Sequence, residues 1–238
     1  MIVSGKMMLH KLLGRAWIFP VLAFFAAIPA HADLMTEVAY SDEDPGAPSY
    51  VTRYLVTDHY LRMDYGQDGD DFVLFDRTAK RLYNVSRSQK EIMVIDASKL
   101  TFTRPEKWDV HEELVIERED HMKRLKVYVN DTLCSRLTVA PKIFPDMVQA
   151  LKEMKETLAE TQGLTYFATP PEQRNICDLA QNVLEPGFWL SLGFPVDQID
   201  NDGFTRRLIN SGRSEVRAGL FELPKGYRIW NIKDMQGR

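Results

Sequence analysis

The densest cluster of metal-ligating side chains in this sequence is DYGQDGDD, residues 64 to 71, with four aspartates and two glycines in eight positions. A hard cation such as calcium, held by a loop of the EF-hand kind, needs oxygen ligands at loop positions 1, 3, 5 and 12. Counted from Asp64, position 3 is Gly66, position 5 is Asp68 and position 12 is Phe75. Two of those four positions carry no carboxylate, and an aromatic ring stands where a bidentate glutamate belongs. The spacing predicts a Gly-Asp turn between two strands, not a cation site. VDQIDNDGF, with Asp200, Asp202 and Gly203, lacks the closing carboxylate as well and reads as a hairpin turn.

Other chemistries are tested the same way. His59, His111 and His121 are far apart, and His111-Glu112-Glu113 sits in a strand-like stretch rather than on an H-E-x-x-H helix, so no zinc site is expected. Neither G-x-S-x-G nor a serine-lysine β-lactamase pattern occurs, and neither a Walker sequence nor G-x-G-x-x-G is present. The expectation is a non-enzyme with no catalytic residue and no cofactor. A hydrolase built from two distant carboxylates is kept as an alternative, because such a pair can meet from anywhere in a fold.

What stands out instead is apolar and aromatic. Met63, Phe72, Tyr83 and Met93 lie among the strands, and Met147, Leu151 and Met154 lie on a central helix. Soft thioethers and flat rings suit either an ordinary core or the lining of a cavity for a greasy ligand. These seven are the candidate ligand-binding residues. Cys134 and Cys177 are expected to form a disulfide, closing a loop of about 44 residues, because the chain carries an export signal and nothing resembling C-x-x-C.

That signal is MIVSGKMMLHKLLGRAWIFPVLAFFAAIPAHA: basic residues, an apolar run from Ala16 to Ile28, then Ala30-His31-Ala32. The run is about 13 residues, short of the roughly 20 that a membrane helix needs. Cleavage after Ala32 is expected, giving a periplasmic chain with no membrane span and one domain over 33–238. Removing Lys6, Lys11 and Arg15 from the 30 Lys+Arg leaves 27 against 34 Asp+Glu, a net charge of −7. Such a balance, without a basic cluster, gives no footprint for nucleic acid.

The elements that must position these residues follow from periodicity. YVTRYLV, HYLRMDY, DFVLF, RLYNV and EIMVI are short, rich in aromatic and β-branched residues, and separated by turn sequences, as in an antiparallel meander. In LRMDY the alternation of Leu61 and Met63 with Arg62 and Asp64 predicts one buried face and one wet face. FPDMVQALKEMKETLAETQG predicts a helix of about 17 residues from Pro145 to a stop at Gly163, with Met147, Leu151, Met154 and Leu158 on one face. A second helix is expected from Glu172 to Leu184, and FTRRLINS, EVRAGLFEL and YRIWNIK read as strands. Sheet, two helices, sheet is an α+β order.

HYLRMDYG, DDFVLFDRTAKRLYNVSRSQKEIMVID, VNDTLCSRLTV, NICDLAQNVLEPGFWLSLGFPV and LFELPKGYRIWNI together resemble a family of exported bacterial proteins grouped by a domain of unknown function and related to the outer-membrane lipoprotein carrier (LolA/LolB-like) fold. Arg62-Met63-Asp64, Asp76, Arg81 to Tyr83, and Phe221 to Tyr227 occupy the places of that pattern. The resemblance implies a strongly curved antiparallel sheet, an open half-barrel, with two helices packed on its concave face. It also implies a non-catalytic envelope module whose partner is a lipid, a lipidated ligand or another hydrophobic molecule, or alternatively an envelope protein in an interaction or sensing role.

Overall fold

The computed structural model describes residues 33–97, 101–117 and 121–236, so the leader expected over residues 1–32 lies outside the described residues. The meander forms as its pattern dictates: β1 (Leu34–Glu43), β2 (Tyr50–Val56), β3 (Tyr60–Asp64), β4 (Phe72–Asp76), β5 (Arg81–Ser86) and β6 (Glu91–Asp96) pair antiparallel in sequence order. The turn after β4 is fixed by Asp76, whose Oδ1 accepts from the backbone N–H groups of Thr78 and Ala79. Three further strands follow, β7 (Val110–Glu117), β8 (Lys123–Val129) and β9 (Thr132–Ala140), then the helix α1 (Pro145–Ala168). After the helical region come β10 (Phe194–Asp200), β11 (Thr205–Glu215) and β12 (Arg228–Asn231). Among the described residues all twelve strands join one sheet, in the order β12-β6-β5-β4-β3-β2-β1-β11-β10-β9-β8-β7.

This corrects the expected α+β half-barrel with two helices on its concave face. The molecule is dominated by a twelve-stranded open sheet, and the sheet is mixed, because β12 runs parallel to β6. The second helix also breaks up. Residues 171–184 form a 3₁₀ turn at Pro171–Gln173, a short α2 (Ile176–Leu179) and a π-helical turn over Ala180–Leu184, followed by the separate α3 (Phe188–Ser191). Asn175 caps α2, its Oδ1 accepting from Cys177 N at 2.9 Å. EVRAGLFEL is not a strand of its own: β11 runs on to Glu215, and 216–227 crosses the sheet as turns and extended chain.

Helix α1 extends beyond its expected end to Ala168, passing through Gly163. That glycine is a contact rather than a stop: a Cβ on it would sit 2.1 Å from Phe102 Cε2, and the Phe102 ring stacks on Phe167 with centroids 5.2 Å apart. In an open helix, Gly→Ala adds about 0.5–1 kcal/mol of stability. Here the methyl group must displace Phe102. Gly163→Ala is therefore expected to destabilise by about 1 kcal/mol, read as a lower urea midpoint, and a higher midpoint would mean the ring moves aside freely.

The two faces of the sheet are covered differently. On one, α1 buries Met147, Ala150, Leu151 and Met154 against Val38, Tyr40, Tyr54, Leu61, Phe75 and Leu82. Further along the sheet, Val127, Val129, Leu137 and Val139 pack under Cys177, Ala180 and Trp189. On the opposite face Phe72, Leu74, Val85 and Ile92 are covered by Phe221, Leu223 and Tyr227, and Met35 and Leu55 by Leu220. The supposedly wet face of β3 is thus buried: Arg62 is 1% exposed and Asp64 2%. Alternation reported two faces correctly but not that the chain after β11 would cover the charged one.

Burying those charges requires partners. Arg53 donates to Asp64 through Nε and Nη2, each at 2.8 Å, and Arg62 Nε adds a third contact at 2.8 Å. Arg62 also donates to the carbonyl oxygens of Leu220 (2.8 Å) and Asp68 (3.1 Å) and lies over the Phe72 ring, 4.0 Å from its centroid. Asp68 pairs with Arg53 and Arg217, and Asp71 accepts from Ser86 and from Arg87 N. The acidic stretch from Asp64 to Asp71 neutralises buried arginines. Burial alone would raise the Asp64 carboxyl, but hydrogen bonds from Arg53, Arg62 and Gly66 N hold it below the usual carboxylate range.

Candidate functional site

The seven residues named as candidate ligand contacts divide between these surroundings. Leu151 and Met154 line a cavity of about 300 Å³ between α1 and the sheet. Met147 is wholly buried in the core beneath α1, and Met93 packs against that same core. Met63 also packs there, and with Phe72 it borders a second hollow of about 440 Å³. Phe72 and Tyr83 pack on the opposite face with Phe221 and Tyr227, so the seven do not line one space. The expected disulfide is formed: Cys134 on β9 bonds Cys177 on α2, with Cα atoms 5.3 Å apart. Among the described residues no three His, Cys, Asp or Glu side chains come together as a metal-binding group.

The cavity under α1 has apolar and aromatic walls, made by Leu151, Met154 and Leu158 from the helix and by Tyr40, Tyr54 and Trp189 opposite. At one side it turns polar, with Lys155, Gln181, Asn182, Gln198, Asp200 and Arg206. Of these only Asp200 was singled out in the sequence, and there as part of a hairpin turn. Lys155 follows Met154 and lies four residues after Leu151, so its stem joins the apolar stripe of α1 while the ammonium reaches the cavity. Its Nζ donates to Asn182 Oδ1 at 3.3 Å, and no carboxylate forms an ion pair with it among the described residues. Burial, helped by the charge of Arg206 and opposed by that of Asp200, pulls its pKa down to about 8.

The opposing wall is fixed in place. Arg206 on β11 holds Asp42 on β1 bidentately, Nε to Oδ1 at 2.8 Å and Nη2 to Oδ2 at 2.6 Å. Its guanidinium lies 4.9 Å from the Tyr40 ring centroid, 5.5 Å from Phe204 and 5.6 Å from Tyr54. Tyr40 donates to Pro195 O at 2.9 Å. Asp200 accepts from Gln198 Nε2 at 2.8 and 2.9 Å and from Ser135 Oγ, which in turn accepts from Trp189 Nε1 at 2.8 Å. Burial raises the Asp200 carboxyl above its ordinary range, against the hydrogen bonds from Ser135 and Gln198. Ser135 is buried behind Trp189 and does not line the cavity, so its hydroxyl serves this chain of hydrogen bonds and is not presented to a ligand.

Comparison with known proteins adds little to this geometry. No protein-family model and no curated protein matches the chain. Among solved structures, PNGF-II in its C2 crystal form is similar with a TM-score of 0.41 at 9% identity, over 86% of this chain and 33% of that one. The P21 form gives a TM-score of 0.40 at 9% identity, over 85% of this chain and 32% of that one. The chain therefore spans about a third of the length of PNGF-II. Neither value extends to a shared activity.

Proposed function

We propose that this chain is a non-catalytic binding module, exported to the periplasm, that holds a small hydrophobic or acyl-bearing ligand between α1 and the sheet. The observation that carries the reading is the cavity itself: about 300 Å³, walled by Leu, Met, Tyr and Trp side chains, with a few polar groups gathered at one side. Ligand sites combine these features, apolar area for affinity and sparse polar groups for orientation. The volume lies at the small end of such sites, which favours one short chain over a multi-chain lipid. Export is supported by the leader pattern of residues 1–32 and the Cys134–Cys177 bond, since oxidised pairs persist outside the cytoplasm. No helix among the described residues is long and apolar enough to cross a membrane.

Native mass spectrometry of protein purified from the periplasm should show retained acyl material. Repeatedly clean protein that also ignores fluorescent fatty-acid analogues would sink the reading. An envelope interaction module is the second reading, and one observation favours it. β7 is an edge strand whose Leu114, Val115 and Ile116 are all exposed, beside an open groove of about 530 Å³ carrying Arg124, Arg136 and Arg207. Cross-linking from that strand to one envelope protein, with an empty cavity throughout, would move the assignment there.

A further inference from the structure

We propose that the cavity under α1 selects an amphipathic monocarboxylate, the tail lying along Leu151, Met154 and Leu158 and the carboxylate accepting from Lys155 Nζ. This rests on the hydrophobic-ligand reading above and specifies the polar end of that ligand. An ammonium offers three donors, and Lys155 uses one of them, on the neutral Asn182 amide. Two donors are left on an ammonium at the polar side of the cavity, next to the apolar wall of Leu151, Met154 and Leu158.

The remaining charged groups are already engaged. Arg206 is clamped on Asp42, and Asp200 is held by Ser135 and Gln198. The groups that face Lys155 are thus Asn182 from the π-helical turn, Asp200 from β10, Arg206 from β11, and the phenols of Tyr40 and Tyr54 from β1 and β2. A cationic ligand would meet both Lys155 and Arg206. A neutral alcohol could accept one hydrogen bond but would leave the ammonium with no bonded counter-charge, only the charge of Asp200 beyond ion-pair distance, in a place where burial already disfavours it. A carboxylate supplies that charge through a charge-assisted hydrogen bond, the stronger kind.

The unliganded lysine, with its pKa near 8, is mostly protonated at neutral pH, and a bound carboxylate favours that form further. Affinity should therefore be greatest where ligand and lysine are both ionised, at about pH 6–7.5, and should fall as the lysine of the free protein loses its proton.

The experiment compares octanoate, 1-octanol and octylamine by calorimetry on the intact mature protein, with Trp189 fluorescence as a second readout. At pH 7 octanoate should bind about tenfold or more tighter than 1-octanol, and octylamine weakest of the three. The preference for octanoate over 1-octanol should shrink between pH 7 and about 9.5 and should be absent in Lys155→Met, whose apolar side chain keeps the packing. Circular dichroism and urea midpoints establish that this variant is folded. Equal binding of acid and alcohol, or a preference that survives Lys155→Met, would overturn the carboxylate assignment while leaving the hydrophobic cavity standing. Binding of none of the three would overturn the cavity reading itself, and the assignment with it.

Discussion

Asp64→Asn should lower the stability of the protein by about 3–5 kcal/mol, because it leaves buried arginines without their shared counter-charge. Asp64 receives three charge-assisted hydrogen bonds from Arg53 and Arg62, and it and Arg62 are both almost completely buried. The amide keeps the shape but offers one acceptor oxygen in place of two, and its NH₂ is aimed at donors. Asp68→Asn should cost far less, about 1 kcal/mol or below, since that side chain is largely exposed. Arg62→Met should fall between them: it loses the bonds to Leu220 O and Asp68 O but leaves the Arg53–Asp64 pair balanced. Urea titrations of the three variants give this order, and an Asp64→Asn cost below that of Asp68→Asn would contradict the account.

Asp64 and a second, separately paired carboxylate, Glu153, set the acid limit. Asp64 is held below its ordinary range, and Glu153 on α1, which burial alone would raise, is brought down to about 2 by Arg77, Gln149 and Lys80. Groups with depressed folded values contribute stability above their unfolded pKa, near 4, and lose it as the pH falls through the folded value. Unfolding should therefore set in below about pH 4, and Asp64→Asn should flatten that part of the curve. Calcium should add no stability here, since the carboxylates of Asp64 and Asp68 are already paired with arginines. A melting temperature that does not rise in millimolar calcium is the matching check.

How far the sequence could lead depended on whether the deciding contact was local. The meander was legible because a period of two and Gly-Asp or Lys-rich turns are set within a few residues, and the acidic turn was legible through what it lacked at Gly66 and Phe75. Gly163 was misread as a helix stop because the ring it accommodates, Phe102, lies about 60 residues earlier. The second helix failed at Arg174 and Asn175, where the backbone is extended and the Asn175 side chain caps a new start at Cys177 N. The wet face assigned to Arg62 and Asp64 became a buried one only because residues 216–227 cross it.

The candidate site shows the same limit. Lys155 carried a usable signal, a cation adjacent to the Leu151/Met154 stripe on α1, which is the place where a long polar side chain is drawn under a helix. Asp200 and Arg206 gave none, since each looks like a turn or surface residue until β10 and β11 are placed beside β9 and β1. Met63, Phe72, Tyr83 and Met93 share a composition but not a face, and composition was what selected them.

Replacing both cysteines, Cys134→Ser with Cys177→Ser, should cost about 2–5 kcal/mol, and the loss should be felt unevenly. The bond closes a loop that contains all of α1, its ends separated by 43 positions in sequence, so its removal frees a large part of the unfolded ensemble. In the folded state it joins β9 to α2, where Asn201 bridges the two sides by donating from its backbone to Cys134 O and from its amide to Cys177 Sγ. Residues just after α2 carry Gln181 and Asn182, the polar wall that meets Lys155. Without the bond, short helical turns between prolines retain only their packing under Ala180 and Trp189. Amide exchange over 176–184 should therefore accelerate more than exchange in β1 to β6, and octanoate affinity should drop by more than the loss of global stability implies. Uniform acceleration across the whole sheet, with ligand affinity unchanged, would mean that the bond stabilises the chain without holding this wall of the cavity.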